Sequence, residues 1–362
     1  MLYFDANATE PLRPAAREAA LAAMAAANPS SIHAAGREAR KILESARETV
    51  ARHCFARPAD VIFTSGATEA NALALHALGR NRPVLIGATE HDSIRAPLPN
   101  AITLPVRADG TLAPETLAAA LAQHPGALVA LMAANNETGV LHDIESAAKT
   151  CAAHNALLHI DAVQAIGRAN RDWLGMGAAS LSLSGHKFGG PMGAGALIIR
   201  QGVEIEALTR GGGQEQGRRG GTPPLPAIAG LAAALGEGYE AERVAAYRDE
   251  IEAVCVNLGA IAAGSTAPRL PNTTNLALPG VRAETQLIAL DMAGIAVSAG
   301  SACSSGKLAA SHVLIAMGYG ALAGQAIRVS LPWNVTAESI EKFTTAYAAM
   351  VKRALRKAEH SA

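Results

Sequence analysis

Apolar positions along the chain fall into short runs separated by longer stretches of helical spacing. Val61-Ile62-Phe63, Val84-Leu85-Ile86, and the runs 128–132 and 157–160 are almost wholly apolar, the pattern of strands buried on both faces. Ser180-Leu-Ser-Leu-Ser184 alternates instead, so it reads as a half-buried strand, and a second apolar strand, 196–199, follows a glycine-crowded turn. Helices are expected over 14–27, about 32–52, 69–78, 114–121, 144–153 and 163–168. Strands alternating with helices predict a parallel sheet with right-handed crossovers. From about 227 to 257 the chain reads as helical and amphipathic. Beyond 258 it reads as a smaller α/β unit, with strands at 275–278 and 327–330, a helix near 284–293 and a final helix from Ala337.

Length and composition narrow the picture. The 362 residues suit two domains, and the 50% hydrophobic and 17% charged content is ordinary for a soluble globular protein. Lysine plus arginine equals aspartate plus glutamate, 31 each, so nothing recruits nucleic acid or an anionic membrane. No apolar run reaches the roughly 18 residues of a membrane span. The opening Met1-Leu-Tyr-Phe-Asp5 lacks a basic, then apolar, leader pattern. Cys54, Cys151, Cys255 and Cys303 are far apart and form no Cys-x-x-Cys pair, which argues against a zinc or disulfide framework. A cytoplasmic, reducing setting fits best.

The candidate chemistry sits where strands end. Lys187, in Ser184-Gly185-His186-Lys187, reads either as a solvated loop cation or as a Schiff-base lysine. The second reading needs a pyridoxal phosphate site around it: an acid for the ring nitrogen, a stacking group and a phosphate cradle. Thr64-Ser-Gly-Ala-Thr68, between a strand and a helix, has the geometry that cradles phosphate. Asp161 ends its strand as either the ring-nitrogen partner or a helix N-cap. Gln164 could reach the same ligand or face solvent. His91 could stack on a ring or be an ordinary bonded histidine, and His186 and Ser184 are open in the same way. Arg328 reads as a carboxylate clamp or a structural ion pair. The glycine- and arginine-rich stretch 211–223 reads as a surface link or an anion-binding arm. Thr68, His91, Asn136, Asp161 and Lys187 all fall at predicted strand ends, where parallel sheets bind ligands. Cys303 lies in a loop of small residues, 298–307. On the loop alone it reads more simply as an idle cysteine than as a nucleophile, because a reactive thiol needs a specific electropositive setting.

Seven motifs in order change that balance: Phe63-Thr-Ser-Gly-Ala-Thr-Glu69, Thr89-Glu-His91, Asn135-Asn-Glu-Thr-Gly139, His159-Ile-Asp-Ala-Val-Gln164, Ser184-Gly-His-Lys187, Gly211-Gly-Gly-Gln-Glu215 with Arg219 and Thr222, and Ser298-Ala-Gly-Ser-Ala-Cys303. With them the chain resembles the pyridoxal-phosphate cysteine desulfurases of the iron–sulfur and nitrogen-fixation type, along nearly its whole length. The resemblance implies a fold-type I α/β homodimer. Its large domain, 11–250, would hold a mainly parallel seven-stranded sheet. A smaller α/β domain, 1–10 with 251–362, would carry the cysteine loop. Pyridoxal 5'-phosphate would bond to Lys187, with Asp161 at the pyridine nitrogen, Gln164 at the phenolic oxygen and His91 stacked on the ring. Ala67, Thr68, Ser184 and His186 would bind its phosphate, joined by Thr222 of a partner subunit. Asn136 and Arg328 would hold the carboxylate of L-cysteine. Cys303 would take the sulfur as a persulfide and pass it to an acceptor protein, an iron–sulfur scaffold or sulfur carrier. The chain departs from the family's pattern at Glu10, where a threonine is usual, and at Pro332-Trp333-Asn334, where a glycine–arginine–phenylalanine segment is usual.

Overall fold

The structure is a computed structural model that describes residues 1–169, 171–300 and 309–359. In chain order its strands are β1 (Leu2–Tyr3), β2 (Val61–Thr64), β3 (Val84–Gly87), β4 (Ile102–Leu104), β5 (Leu128–Met132), β6 (Leu157–Asp161), β7 (Ser180–Ser184), β8 (Gly195–Ile199), β9 (Ile261–Ala262), β10 (Thr273–Ala277), β11 (Ile295–Ala296) and β12 (Ala326–Ser330). Seven of them form one sheet in the order β2-β8-β7-β6-β5-β3-β4. β3 to β7 pair in parallel, while β8 runs antiparallel to both β7 and β2. The sheet is thus mainly parallel, with β8 reversed. The segment joining β7 to β8 is shorter than the crossover of about a dozen residues that a parallel return needs. β2 points the same way as β3 to β7, so their carboxyl ends share one edge.

Successive residues of each strand face opposite layers. Val61, Phe63, Val129, Leu131 and Ile198 enter one apolar core with the helices Pro14–Ala23, Ala34–His53 and Leu225–Gly236. Ile62, Leu128, Ala130, Leu197 and Ile199 enter another, with the helix Ala67–Leu78. β7 corrects the half-buried reading. Leu181 and Leu183 lie in the first core, yet Ser180, Ser182 and Ser184 are also buried. The alternation marks a polar face that is covered, not one open to water.

A separate core gathers Phe4, Val244, Ile251, Leu276, Ile327, Val329, Phe343 and Tyr347. It lies among β10, β12 and the helices Ala241–Asn257, Ala283–Met292 and Ala337–Glu359. Phe343 packs between Phe4, tilted by 43° at 5.7 Å, and Tyr347, stacked at 5.9 Å. Each such buried ring stabilises the fold by roughly 1.5–3 kcal/mol. β1 pairs with β11, so the N-terminus joins this second core.

Two further expectations change, and three elements go unforeseen. Residues 163–169 form turns, not a helix, because Gly167 adopts φ 82°, and a Cβ there would lie 2.7 Å from Phe188 Cβ. The stretch 227–257 divides into two helices around Gly236 and Gly238. β4 and the short helices Asp92–Arg95 and His312–Ala316 were not legible, being too short to show a period.

Candidate active site

The carboxyl edge of the sheet opens into a cavity of about 730 Å³. Ala67, Thr68, His91, Asn136 and Asp161 line it. So do Gln164, Ser184, His186, Lys187 and Arg328. Thr222 is exposed on its loop and does not line its own chain's cavity. Cys303 lies outside the described residues.

Lys187 ends a single 3-10 turn, Gly185–Lys187, directly after β7. Its Nζ donates to the carbonyls of Asn7 at 2.8 Å and Ala8 at 3.0 Å. Burial first, and then the positive charges of Arg328 and Arg168, lower its pKa to about 8. Such an amine is neutral for part of the time near pH 7, as a Schiff-base nucleophile must be. Burial, with Lys187 beside it, also lowers His186 to about 4.

The phosphate cradle forms where β2 turns into the helix Ala67–Leu78. Gly66 caps that helix without a side-chain bond, so the first-turn N–H groups face the cavity. Gly195 lets this turn approach the end of β7, since a Cβ on it would stand 2.7 Å from Gly66 Cα. Glu69 accepts from the Ser65 N–H at 2.7 Å and pairs with Arg219 at 2.7 Å. The 211–223 stretch is thereby anchored. Arg219 is held by Glu69, and Glu215 takes Arg47 in two 2.8 Å bonds and the Phe63 N–H at 2.9 Å.

Asp161 lines the cavity, and its Oδ1 accepts from the Val163 N–H at 3.1 Å within a turn, because residues 163–169 give it no helix to cap. Oδ2 accepts from Asn71 Nδ2 at 2.9 Å. Asn71 is the hub of the floor. Its Nδ2 also donates to Ser93 Oγ at 2.9 Å, and its Oδ1 accepts from His159 Nε2 at 3.0 Å. An amide oxygen can only accept, so the proton of His159 sits on Nε2 and Nδ1 faces the Ser180 hydroxyl at 2.8 Å. Burial holds His159 neutral, its pKa lowered to about 3. His159 of β6 and Ser180 of β7 therefore belong to one bonded network, while Ser182 Oγ of β7 is buried without a partner.

His91 caps the helix Asp92–Arg95, with Nδ1 accepting from the Ser93 N–H at 3.1 Å. Its ring is exposed to the cavity. Glu90, next to it, is fully buried. Burial pushes its carboxyl well above the usual range, and the charge of Asp161 pushes the same way. Arg328 is both a clamp candidate and an ion pair: Nη2 meets Asp5 Oδ1 at 2.6 Å, Nη1 donates to Asn136 O at 3.0 Å, and Nε is buried without a partner. Sequence reasoning missed Asn7, Asp5 and Asn71. Asn71 was legible only as a polar residue amid the apolar run of its helix.

The donor set fits pyridoxal phosphate: a poised amine, a carboxylate fixed by two N–H donors, free helix-start N–H groups and an exposed ring. The comparisons agree. The family model described as Aminotransferase class-V matches residues 2–343. The chain belongs to that family, in its cysteine desulfurase branch. It is a pyridoxal-phosphate enzyme. It is 35% identical to an IscS-like cysteine desulfurase of Mycobacterium tuberculosis, over 99% of this chain and 98% of that protein. A cysteine desulfurase of Cereibacter sphaeroides is 39% identical, over 94% and 93% of the two chains. A NifS-like protein from Rickettsia africae superposes with a TM-score of 0.91 at 33% identity, covering 97% of this chain and 99% of that one.

Proposed function

We propose that this enzyme converts L-cysteine to L-alanine and passes the sulfur, as a persulfide on Cys303, to an acceptor protein for iron–sulfur cluster or other thio-cofactor synthesis. It works as a cytoplasmic homodimer. Among the described residues no helix is long and apolar enough to cross a membrane, and Cys54, Cys151 and Cys255 are free and buried, which supports a reducing setting. The same proposal divides the chain into 11–250, holding the cofactor, and 1–10 with 251–362, carrying the cysteine loop; the separate apolar cores support two units, with Val244 and the rest of the helix Ala241–Asn257 packing in the second.

Pyridoxal phosphate supplies an electron sink for the pair left when the substrate's α-proton departs, which weakens the bond from Cβ to sulfur. The chain's residues do the rest. Lys187 takes that proton, its amine kept available by burial. Asp161 holds the pyridine nitrogen, Gln164 faces the phenolic oxygen, and His91 covers the ring. Ala67, Thr68, Ser184 and His186 hold the phosphate, with Thr222 of the partner subunit. Asn136 and Arg328 orient the substrate carboxylate. The Cys303 thiolate attacks the substrate sulfur. A sulfur–sulfur bond forms, the carbon–sulfur bond breaks, and the released pair returns with a proton as the methyl group of alanine.

The observation that carries this reading is the convergence of Lys187, Asp161, Gln164 and the free start of the helix Ala67–Leu78 on one cavity. The test is a spectrum of the purified protein, then L-cysteine under reducing conditions. The expected results are a band at about 400 nm that borohydride bleaches, and alanine and sulfide in equal amounts. A loaded protein that makes no alanine overturns the substrate assignment.

A further inference from the structure

Glu10 and the segment 332–334, the two departures from the family's pattern, meet in the fold. Glu10 is buried. Its Oε2 pairs with Arg168 Nη2 at 2.6 Å, and its Oε1 accepts from the Trp333 N–H at 2.7 Å. The Trp333 indole donates to Pro11 O at 3.0 Å, and the Arg13 guanidinium lies over its ring at 5.2 Å.

The connection does not stop at the ion pair. Arg168 Nη1 donates to Gln164 Oε1 at 2.9 Å. On the other side of that amide, Gln164 Nε2 donates to Asn7 O at 3.0 Å. A guanidinium can only donate and a backbone carbonyl can only accept, so the amide has a single self-consistent orientation. Its Nε2 carries a second hydrogen, and Gln164 lines the cavity. The same Asn7 carbonyl also takes the Lys187 amine, at 2.8 Å, so the amide and the lysine are set against one shared atom.

We propose that Glu10 and Arg168 are positioning residues that lock the Gln164 amide with an N–H, not an oxygen, toward the cofactor's phenolic oxygen beside Lys187. This rests on the reading of Gln164 given above. Without Arg168 the amide loses the donor on its oxygen and only the Asn7 carbonyl still orients it, so its N–H is held less firmly. A phenolic oxygen that loses a donor is more basic and holds the neighbouring imine proton more tightly. The bound cofactor's titration midpoint then moves up, and its affinity falls by the worth of about one hydrogen bond, roughly two- to tenfold.

The test compares the loaded wild type with the paired variant Glu10→Gln with Arg168→Met, with Gln164→Ala, and with the three combined. The paired change leaves no unpaired buried charge and keeps an oxygen for the Trp333 N–H. Absorbance at about 400 nm is followed against pH, and the dissociation constant for added pyridoxal phosphate is measured. The expected result is an upward midpoint and weaker binding in the paired variant and in Gln164→Ala, with no further shift when the changes are combined. A paired variant with a lower melting temperature but the wild-type midpoint and dissociation constant shows a merely structural pair and overturns the proposal. Shifts that add have the same consequence. If Gln164→Ala alone leaves both readouts unchanged, the Gln164 reading fails and the proposal with it. Should the paired variant not fold, Glu10→Gln alone carries the test: a smaller shift in the same direction supports the proposal, and an unchanged midpoint overturns it.

Discussion

Among the described residues two arginine–glutamate pairs are deeply buried, and they end on different things. Arg47 and Glu215 are joined by two bonds, and their other bonds go to the Phe63 N–H, the Val61 carbonyl and, from Arg47 Nε, the half-exposed Glu44 carboxylate at 3.1 Å. That pair fastens a loop to β2. Arg168 and Glu10 are just as buried, but their next partner is the side chain of Gln164, which lines the cavity. The chemistry of the two pairs is the same. A buried ion pair is weak evidence for stability, since desolvation opposes the attraction. What each contributes depends on the third group it fixes: scaffold in one case, an active-site amide in the other.

Breaking the first pair is expected to have the largest effect. Glu215→Ala leaves the buried Arg47 guanidinium with only the half-exposed Glu44 as a carboxylate partner and costs up to about 3–5 kcal/mol of unfolding free energy, read by urea melts of the cofactor-free protein. Molecules that remain folded keep the wild-type cofactor spectrum; a changed midpoint would erase the contrast between the pairs. Asn71→Ala comes next. It deprives Asp161 and His159 of a partner each, costs roughly 1–3 kcal/mol, and weakens cofactor binding, measured by the same melts and by titration with pyridoxal phosphate.

The pH dependence tests the lysine. With a pKa of about 8, the neutral fraction of Lys187 rises as pH rises, and loading of cofactor-free protein accelerates about tenfold between pH 7 and pH 9. A stopped-flow absorbance trace that is flat across this window contradicts the burial argument. The smallest effect belongs to Lys149→Ala. Its pair with Glu145 stands in solvent, so both melt and spectrum should stay at wild type.

The apolar runs at 61–63, 84–86, 128–132 and 157–160 were legible because strands buried on both faces leave a continuous signal. The strand-end position of Asp161 and Lys187 followed from the same pattern. β4 and the helix His312–Ala316 were too short to show a period. The polar face of β7 was legible as alternation, but not its burial, because a covering helix leaves no mark on the strand it covers. The Asn71 network and the link from Glu10 through Arg168 to Gln164 join residues up to 158 positions apart. No local pattern encodes such contacts. Glu10 and 332–334 stood out only as two separate departures, and the fold makes them one structure.

The most direct test of the central claim adds L-cysteine to the loaded wild type and to Cys303→Ala, and measures protein-bound persulfide and alanine together. The account predicts both from the wild type. From Cys303→Ala it predicts an unchanged cofactor band with neither product accumulating. Persulfide on the Cys303→Ala protein, or alanine formed at the wild-type rate, would contradict it.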